Sequence, residues 1–258
     1  MQIEEFQRAL KTAEDIWGLW EVCRQYSERF GLRRYYYAHL PPVGAPDEND
    51  LRFRAEGLDP ETAKEYFRSG YYNAVKLLEH AKAHPHPFYW DELPQNTSDQ
   101  IVVGEQKNQA CVNGMCIPVF GPNGRNGVAC FELPEGISRL CPETLQEMQW
   151  SAQLAHVRYC ELWVPELGPR PRLTPRERQV LVWVARGKSN PLIAEILGIS
   201  AHTVDAHLRR IFVKLGVFDR ITAAVRAISV GLISGGVIQA ITQRSKPFAK
   251  PEASEGRQ

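Results

Sequence analysis

The sequence predicts two domains: an α+β domain in which helices cover an antiparallel sheet as an α-β-α sandwich, followed by an all-α domain of four short helices. The hydrophobic pattern mixes strand and helix periods up to about residue 163 and is helical over 173–235. Between these regions, Pro165, Pro169 and Pro171 disfavour a continuous helix. A length of 258 residues fits two domains of about 100–200 residues each.

The charge balance changes at the same boundary. Residues 170–258 carry 15 Lys and Arg against 6 Asp and Glu, whereas the preceding residues carry 16 against 24. A basic block on an acidic body is typical of a nucleic-acid-binding module attached to a domain with another role. We therefore divide the chain into an α+β domain at 1–164, a proline-rich linker at 165–172, a helical domain at 173–235 and a mobile polar tail at 236–258.

The elements of the first domain follow from periodicity and turn signals. Three segments have helical character: 4–29 with a break near Trp17 and Gly18, 60–83 with a break near Gly70, and 142–163. Four segments have strand character: 34–40, 51–56, 115–120 and 127–133. The last two flank a Pro-Asn-Gly turn at 122–124 and predict a hairpin. On the 142–163 helix, Leu145, Met148, Ala152 and Ala155 share one face.

Four helices of the second domain are predicted from their start and stop signals. Thr174 and Glu177 form a capping box around Pro175, and Ser189, Ser200 and Asp219 are the N-caps of the following helices. The first three helices stop at Gly187, Gly198 and Gly216. Because only Ile199 separates the second stop from the third cap, the second and third helices form a helix-turn-helix.

The third helix has two distinct faces. At 100° per residue, Val204, Ile211 and Leu215 lie within about 60° of Leu208. The candidate DNA contacts are the small, polar and cationic residues of the opposite face, together with those that begin the second and third helices: Lys188, Ser189, Asn190, Ser200, His202, Thr203, Ala206, Arg209, Arg210 and Lys214. A solvated basic face is the alternative, and the turn, the caps and the domain charge together favour DNA binding.

These segments closely resemble the DNA-binding module of LuxR-type regulators. The matching stretches are LTPRER at 173–178, GKSN at 187–190, IAEILGIS at 193–200, TV at 203–204, HL at 207–208 and KLGVFDR at 214–220. The sequence departs from the family pattern at Asp205, where the family has lysine, and at Leu192, where it has glutamate. Asp205 lies about 60° from Leu208, at the flank of the basic face, where it either repels phosphate or accepts a hydrogen bond from cytosine.

The first domain resembles autoinducer-binding domains, through Pro60, Tyr66, Tyr71, PFYW at 87–90 and GMCIPVFGP at 114–122. The resemblance implies a pocket in which a Trp-x3-Tyr-x8-Asp pattern binds an acyl-homoserine lactone. Alignment on Tyr66 puts Thr62 and Val75 at the Trp and Asp positions, and alignment on Pro60 gives Ala63, Phe67 and Lys76. Both polar anchors are absent, so we expect a different small-molecule signal.

The candidate ligand-binding residues are Thr62, Tyr66, Tyr71, Val75, Trp90 and Gly114, with ordinary core packing as the alternative for the aromatic ones. Because a single short recognition helix contacts only a few base pairs, we expect a homodimer on an inverted-repeat promoter site. Ala223, Ala227 and Val230 of the fourth helix and the stretch 145–154 are candidate dimer surfaces. A second hypothesis is that the first domain is an interaction module without a small ligand, so that the regulator is constitutive or gated by a protein partner.

Other functions find little support. The six cysteines have no CxxC spacing, so we expect reduced structural thiols and no cofactor. His80, His84 and His86 lie around prolines, which favours packing or solvated histidines over a metal site. We find no enzyme motif, signal peptide or membrane-length apolar run, and expect a cytoplasmic protein that is not an enzyme.

Overall fold

The structure is a computed structural model that describes residues 1–32, 34–50, 52–57, 71–93 and 113–233. The chain separates into two compact units, Met1–Pro171 and Arg172–Gln258. The candidate ligand residues Thr62 and Tyr66, the predicted break near Gly70 and the predicted tail at 236–258 lie outside the described residues.

Unit 1 contains a five-stranded antiparallel sheet in the order β2-β1-β5-β4-β3. The strands are β1 (Tyr35–Leu40), β2 (Arg52–Glu56), β3 (Phe88–Tyr89), β4 (Gly114–Phe120) and β5 (Asn126–Glu132). The predicted hairpin is confirmed, since β4 and β5 pair across the 122–124 turn, where Asn123 has a φ of 59°. Asparagine tolerates this left-handed conformation better than most residues.

Successive side chains of a strand point to opposite faces of the sheet, and both faces are covered. Tyr37 and Ile117 belong to a core shared with helices α1 (Ile3–Thr12), α2 (Ile16–Ser27) and α4 (Pro142–Glu166). Tyr36 and Cys116, their neighbours in sequence, face a second core that includes residues of α3 (Tyr71–Ala83). The predicted α+β domain with a helix-covered antiparallel sheet is therefore confirmed.

The break in the first helical segment falls earlier than expected. We predicted it near Trp17 and Gly18, but both residues lie inside α2. The N-cap of α2 is Asp15, whose carboxylate accepts a hydrogen bond from the Gly18 backbone N–H at 2.7 Å. A side-chain acceptor that satisfies a free N–H of the first turn starts a helix more strongly than glycine interrupts one.

The long helix α4 has the predicted inward face. Met148 is buried, and Leu145, Ala152 and Ala155 pack against the same core. The helix continues through Pro165, beyond the predicted end at residue 163. Proline in this last turn removes one backbone hydrogen bond but has no following turns to disrupt.

A buried ion pair holds α4 to the sheet. Asp47 accepts two hydrogen bonds from Arg125, at 2.9 and 3.0 Å, and one from the Trp163 indole N–H at 2.9 Å. The side chains of Asp47 and Arg125 are both 3% exposed. Burial opposes ionisation of Asp47, but the hydrogen bonds from Arg125 and Trp163 outweigh it and lower the pKa of this carboxyl.

The expectation of reduced thiols is wrong for Cys116 and Cys130. They are directly opposite in the β4–β5 register, with Cα atoms 4.1 Å apart, and form a disulfide. The sequence spacing gave no sign of this pair, because the strand register alone brings the two thiols together.

Unit 2 has the four predicted helices, α5 (Pro175–Ala185), α6 (Asn190–Leu197), α7 (Ala201–Leu215) and α8 (Arg220–Ser229). They enclose one core, in which Leu181, Ile193 and Ile211 are fully buried. The all-α helix-turn-helix domain is confirmed. In the described part of the chain, no helix is both long and apolar enough to cross a membrane.

Candidate nucleic-acid interface and sensing face

The helix-turn-helix consists of α6 and α7. Gly198, with a φ of 64°, ends α6, and Ser200 caps α7 by accepting the Thr203 backbone N–H at 3.0 Å. The Ser200 and Thr203 hydroxyls also lie 2.8 Å apart. These bonds fix the first turn of α7, which is the part of a recognition helix that meets base edges.

The inward face of α7 fixes its rotation about its axis. Val204, Leu208, Ile211 and Leu215 are all at most 5% exposed, as the 100° spacing predicted. Rotating α7 would expose these four side chains, so the opposite face stays outward.

The outward face carries His202, Arg209 and Arg210, which are all exposed, and the half-buried Ala206. The sequence prediction missed Val213, which is 83% exposed on this face. The same spacing puts Val213 about 140° from Leu208, so its place on the outward face could have been predicted from its position alone.

Two of the predicted DNA contacts, Lys214 and Arg209, form ion pairs in the structure. Lys214 Nζ lies 2.7 Å from a carboxylate oxygen of Glu177, whose side chain is only 3% exposed. Burial opposes ionisation of Glu177, yet the Lys214 bond and the Thr174 N–H lower the pKa of its carboxyl. Lys214 therefore links α7 to α5 through this ion pair. Arg209 pairs with Asp205 at 2.7 Å, one turn earlier, and remains 76% exposed.

Lys188, Ser189 and Asn190 lie at the start of α6. Ser189 has the extended backbone of an N-cap, and within the described residues its side chain makes no capping bond. Arg220 donates a hydrogen bond to the Lys188 carbonyl at 2.5 Å and so ties this corner to α8. The first-turn N–H groups of α6 and the exposed Ser189 hydroxyl are suitable donors for an anion.

In unit 1, the structure brings together two of the candidate ligand residues. A Cβ on Gly114 would lie 2.4 Å from the Trp90 ring, so only glycine allows this contact. Trp90 is 6% exposed, and its indole N–H lies 3.4 Å from Cys116 Sγ. Tyr71 and Val75 are on α3, the helix whose later residues share the core of Trp90.

A buried histidine pair lies on the other side of the sheet. Ligand atoms of His39, His156 and Cys160 lie within 4.8 Å of one another. However, His156 Nδ1 accepts the Tyr37 hydroxyl at 2.7 Å, and its Nε2–H donates to the Arg125 carbonyl at 2.9 Å. Burial lowers the pKa of His156 and raises that of Cys160 to about 11. His156, whose two ring nitrogens are already engaged, is therefore suited to packing rather than to metal binding.

His80 and His84, which the sequence left between metal binding and packing, stack with ring centroids 3.9 Å apart. His80 also makes an edge contact with Phe88. These contacts fit the packing interpretation.

The geometry defines a class of protein: a helix-covered α+β domain joined to a helix-turn-helix domain of the kind that binds DNA. The family described as autoinducer binding domain matches residues 16–159, and the family described as bacterial regulatory proteins, luxR family, matches residues 171–227. The chain belongs to the LuxR-type quorum-sensing transcriptional regulators, a family of regulators rather than of enzymes.

Among curated relatives, the transcriptional activator protein AhyR of Aeromonas hydrophila is 28% identical over 250 residues, 93% of this chain and 95% of that protein. The quorum-sensing-dependent regulator RpaR of Rhodopseudomonas palustris is 32% identical, covering 79% and 83% of the two chains. The crystal structure of Escherichia coli SdiA has the same fold, with a TM-score of 0.67 at 18% identity over 90% of this chain and 100% of that chain.

Proposed function

We propose that the chain is a dimeric transcription regulator that binds an inverted-repeat promoter site through α7 and responds to a small molecule other than a standard acyl-homoserine lactone. The observation that carries the DNA-binding part is the outward face of α7. There, His202, Arg209 and Arg210 are exposed on a helix whose opposite face is locked into the core.

In this proposal α7 lies in the major groove. His202, Thr203 and Ala206, near its first turns, meet base edges, and Arg209 and Arg210 meet phosphates. Lys188, Ser189 and Asn190 hold the adjacent backbone through the α6 N-terminus.

Dimerisation is proposed because one short recognition helix reads only a few base pairs, and two-fold symmetry doubles that number. The sequence analysis proposed Ala223 and Ala227 as dimer contacts, but both are fully buried in their own core. The exposed apolar residues of the same helix are Ile221 and Ile228, at 73% and 45% exposure.

The second candidate dimer surface is on α4, and its residues also differ from those expected. The residues of the 145–154 stretch that we placed on one face point to the core. Trp150, Val157 and Val164, spaced seven apart, are 61%, 38% and 38% exposed. A seven-residue repeat places the three on one stripe of the helix, a pattern suited to pairing with a second copy.

The signal is proposed to lack an amide group that needs a carboxylate acceptor. Without an aspartate at either aligned position, burying a ligand amide N–H costs about 1–3 kcal/mol, or roughly 5- to 150-fold in affinity. SdiA, which has the same fold at 17% identity, was solved in complex with octanoyl-rac-glycerol, an ester without an amide. That complex supports a weakly polar acyl signal here.

The DNA-binding proposal is tested by selecting a site from random duplexes and measuring gel shifts on that site, on a scrambled site and on a single half-site. We expect tight binding to the inverted repeat alone. The double variant Arg209→Ala/Arg210→Ala loses this binding, while the charge-matched Arg8→Ala/Lys11→Ala on α1 keeps it. Equal binding to all three duplexes, or full binding by the folded arginine variant, refutes the proposal.

The ligand proposal is tested by thermal melting of the full chain with acyl-homoserine lactones and with acylglycerols. A ligand at 100 times its dissociation constant adds about 2.7 kcal/mol of stability. Stabilisation by the lactones at low concentration contradicts the proposed signal class. Stabilisation by neither panel, nor by cell extracts, favours an interaction module that takes no small ligand.

A further inference from the structure

The disulfide of the sheet lies directly beside Trp90 and Gly114, two of the candidate ligand-binding residues. Cys116 of β4 and Cys130 of β5 belong to the same core as Trp90 and the later residues of α3. Their Cα atoms are 4.1 Å apart, close to the distance of about 4.5 Å in opposite pairs that exchange no backbone hydrogen bonds. Cys116 is fully buried and Cys130 is 6% exposed.

The disulfide is not what holds these two strands together. β4 and β5 are paired along their whole length, from Gly114 opposite Glu132 to Phe120 opposite Asn126. The backbone ladder and the 122–124 turn keep this register whether or not the two sulfurs are joined. The same fold therefore accommodates the pair as a disulfide and as two thiols.

The proposed function places the protein in a reducing compartment, because a regulator that binds promoter DNA works where the chromosome is. Glutathione and thioredoxin keep thiols reduced there, and the disulfides that do form are mostly transient and redox-sensing. The Cys116–Cys130 bond therefore fits one of two working states rather than a permanent cross-link.

Glutathione interconverts the two states by thiol–disulfide exchange. A glutathione thiolate bonds to the sulfur of the more exposed Cys130, the disulfide breaks, and Cys116 leaves as a thiolate and takes up a proton. A second glutathione thiolate then attacks the glutathione sulfur of this mixed disulfide, so that glutathione disulfide forms and Cys130 leaves and is protonated. Two glutathione thiols are oxidised, the two cysteines are reduced, and the reverse steps restore the disulfide.

The position of Trp90 depends on the state of this pair. β4 lies between β5 and β3, so Cys116 has Cys130 on one side and its other register partner, Phe88, on the other. Unbonded heavy atoms need about 3.5–4.0 Å, and since the backbones stay paired, reduction moves Cys116 Sγ towards β3. The Trp90 indole N–H lies 3.4 Å from this sulfur, and the ring packs so closely on Gly114 that a Cβ there would lie 2.4 Å from it. Trp90 therefore has to shift when the disulfide opens.

We propose that Cys116 and Cys130 form a thiol–disulfide switch that sets the position of Trp90 and so makes unit 1 respond to the thiol balance of the cell. The structure described above is the oxidised state. The effect of the switch on signal binding rests on the proposed function, in which Trp90 contacts the signal, whereas the exchange chemistry and the shift of Trp90 do not.

The exchange is tested on the full chain in buffers that range from reduced glutathione alone to equal amounts of glutathione and glutathione disulfide. Free thiols are alkylated, and mass spectrometry counts the alkyl groups on Cys116 and Cys130. We expect the ratio of dithiol to disulfide to fall at least about tenfold across this range. A disulfide that survives reduced glutathione, or a pair that stays reduced in the most oxidising buffer, overturns the proposal.

The shift of Trp90 is followed through its indole N–H resonance, which Trp90→Phe assigns among the six tryptophans. In the same buffers this resonance should shift in step with the redox state, while that of the exposed Trp150, assigned in the same way, stays fixed. Cys130→Ala should abolish the redox dependence, and Cys141→Ser, which removes an exposed free thiol, should preserve it. A Trp90 resonance that does not move on complete reduction overturns the proposal, and the unchanged protein gives this result even if Cys130→Ala does not fold.

Thermal melting with octanoylglycerol then separates the switch from the proposed signal. We expect the oxidised and reduced proteins to be stabilised to different extents, because Trp90 occupies different positions in the two states. Equal stabilisation of both states contradicts the effect on signal binding. Stabilisation of neither state counts against the proposed signal class, and the two glutathione experiments still decide the switch.

Discussion

Asp205 is the residue at which the recognition helix departs most from its family, and its removal gives a quantitative prediction. Asp205 lies at the edge of the outward face of α7 and holds Arg209 at 2.7 Å. For Arg209 to bind phosphate, this pair has to break or be shared. We therefore expect Asp205→Ala to strengthen DNA binding.

The size of the effect follows from the geometry of the pair. An exposed pair four residues apart on a helix is worth about 0.3–0.5 kcal/mol. In the proposed dimer, two protomers on one site double this to about 0.6–1 kcal/mol, which corresponds to about 3- to 5-fold tighter binding. Each arginine released to a phosphate should also steepen the slope of log affinity against log salt by about 0.9.

The assay is fluorescence anisotropy on the selected site and on a scrambled duplex, between about 50 and 200 mM salt. Glu195→Ala is the charge-matched control, since Glu195 is an exposed acid of the same unit, on α6. The reasoning fails if Asp205→Ala weakens binding to the selected site alone. That result would mean that Asp205 accepts a hydrogen bond from a base and contributes to sequence recognition.

Three further predictions concern stability, each measured by chemical denaturation of the full chain. Ser200→Ala should cost about 1 kcal/mol through loss of the α7 cap, and Ser200→Asn should restore most of it. Glu177→Ala should cost about 2–4 kcal/mol, because it removes both the α5 capping bond and the partner of Lys214. A loss of stability below about 0.5 kcal/mol would show that the pair contributes little. Asp47→Asn should cost about 3–5 kcal/mol by leaving Arg125 charged and poorly paired in the interior, and a neutral result would contradict this. Because the pKa of Asp47 is lowered in the folded state, its contribution to stability is present above the unfolded pKa of about 3.9 and is lost as the pH falls below that value. The Asp47→Asn variant should therefore lose less stability on acidification than the unchanged protein.

Local signals predicted most of the DNA-binding unit. Capping residues such as Ser200 act within one helical turn, and the spacing of Val204 and Leu208 already separates the two faces of α7. The ion pair between Lys214 and Glu177 was not predicted, because the two residues are 37 positions apart and no local pattern connects them. The break before α2 was misplaced for a local reason, since Asp15 was not recognised as a cap.

The sequence by itself determined the fold class, the four helices of the DNA-binding unit and the absence of the family's Trp and Asp anchors, because periodicity, caps and residue identity are local properties. Only the tertiary structure decided the Cys116–Cys130 disulfide and the buried Asp47–Arg125 pair. These features depend on strand register and on which loops meet at the end of the sheet. Both are set by packing between residues far apart in sequence, so they become visible only when the chain is folded.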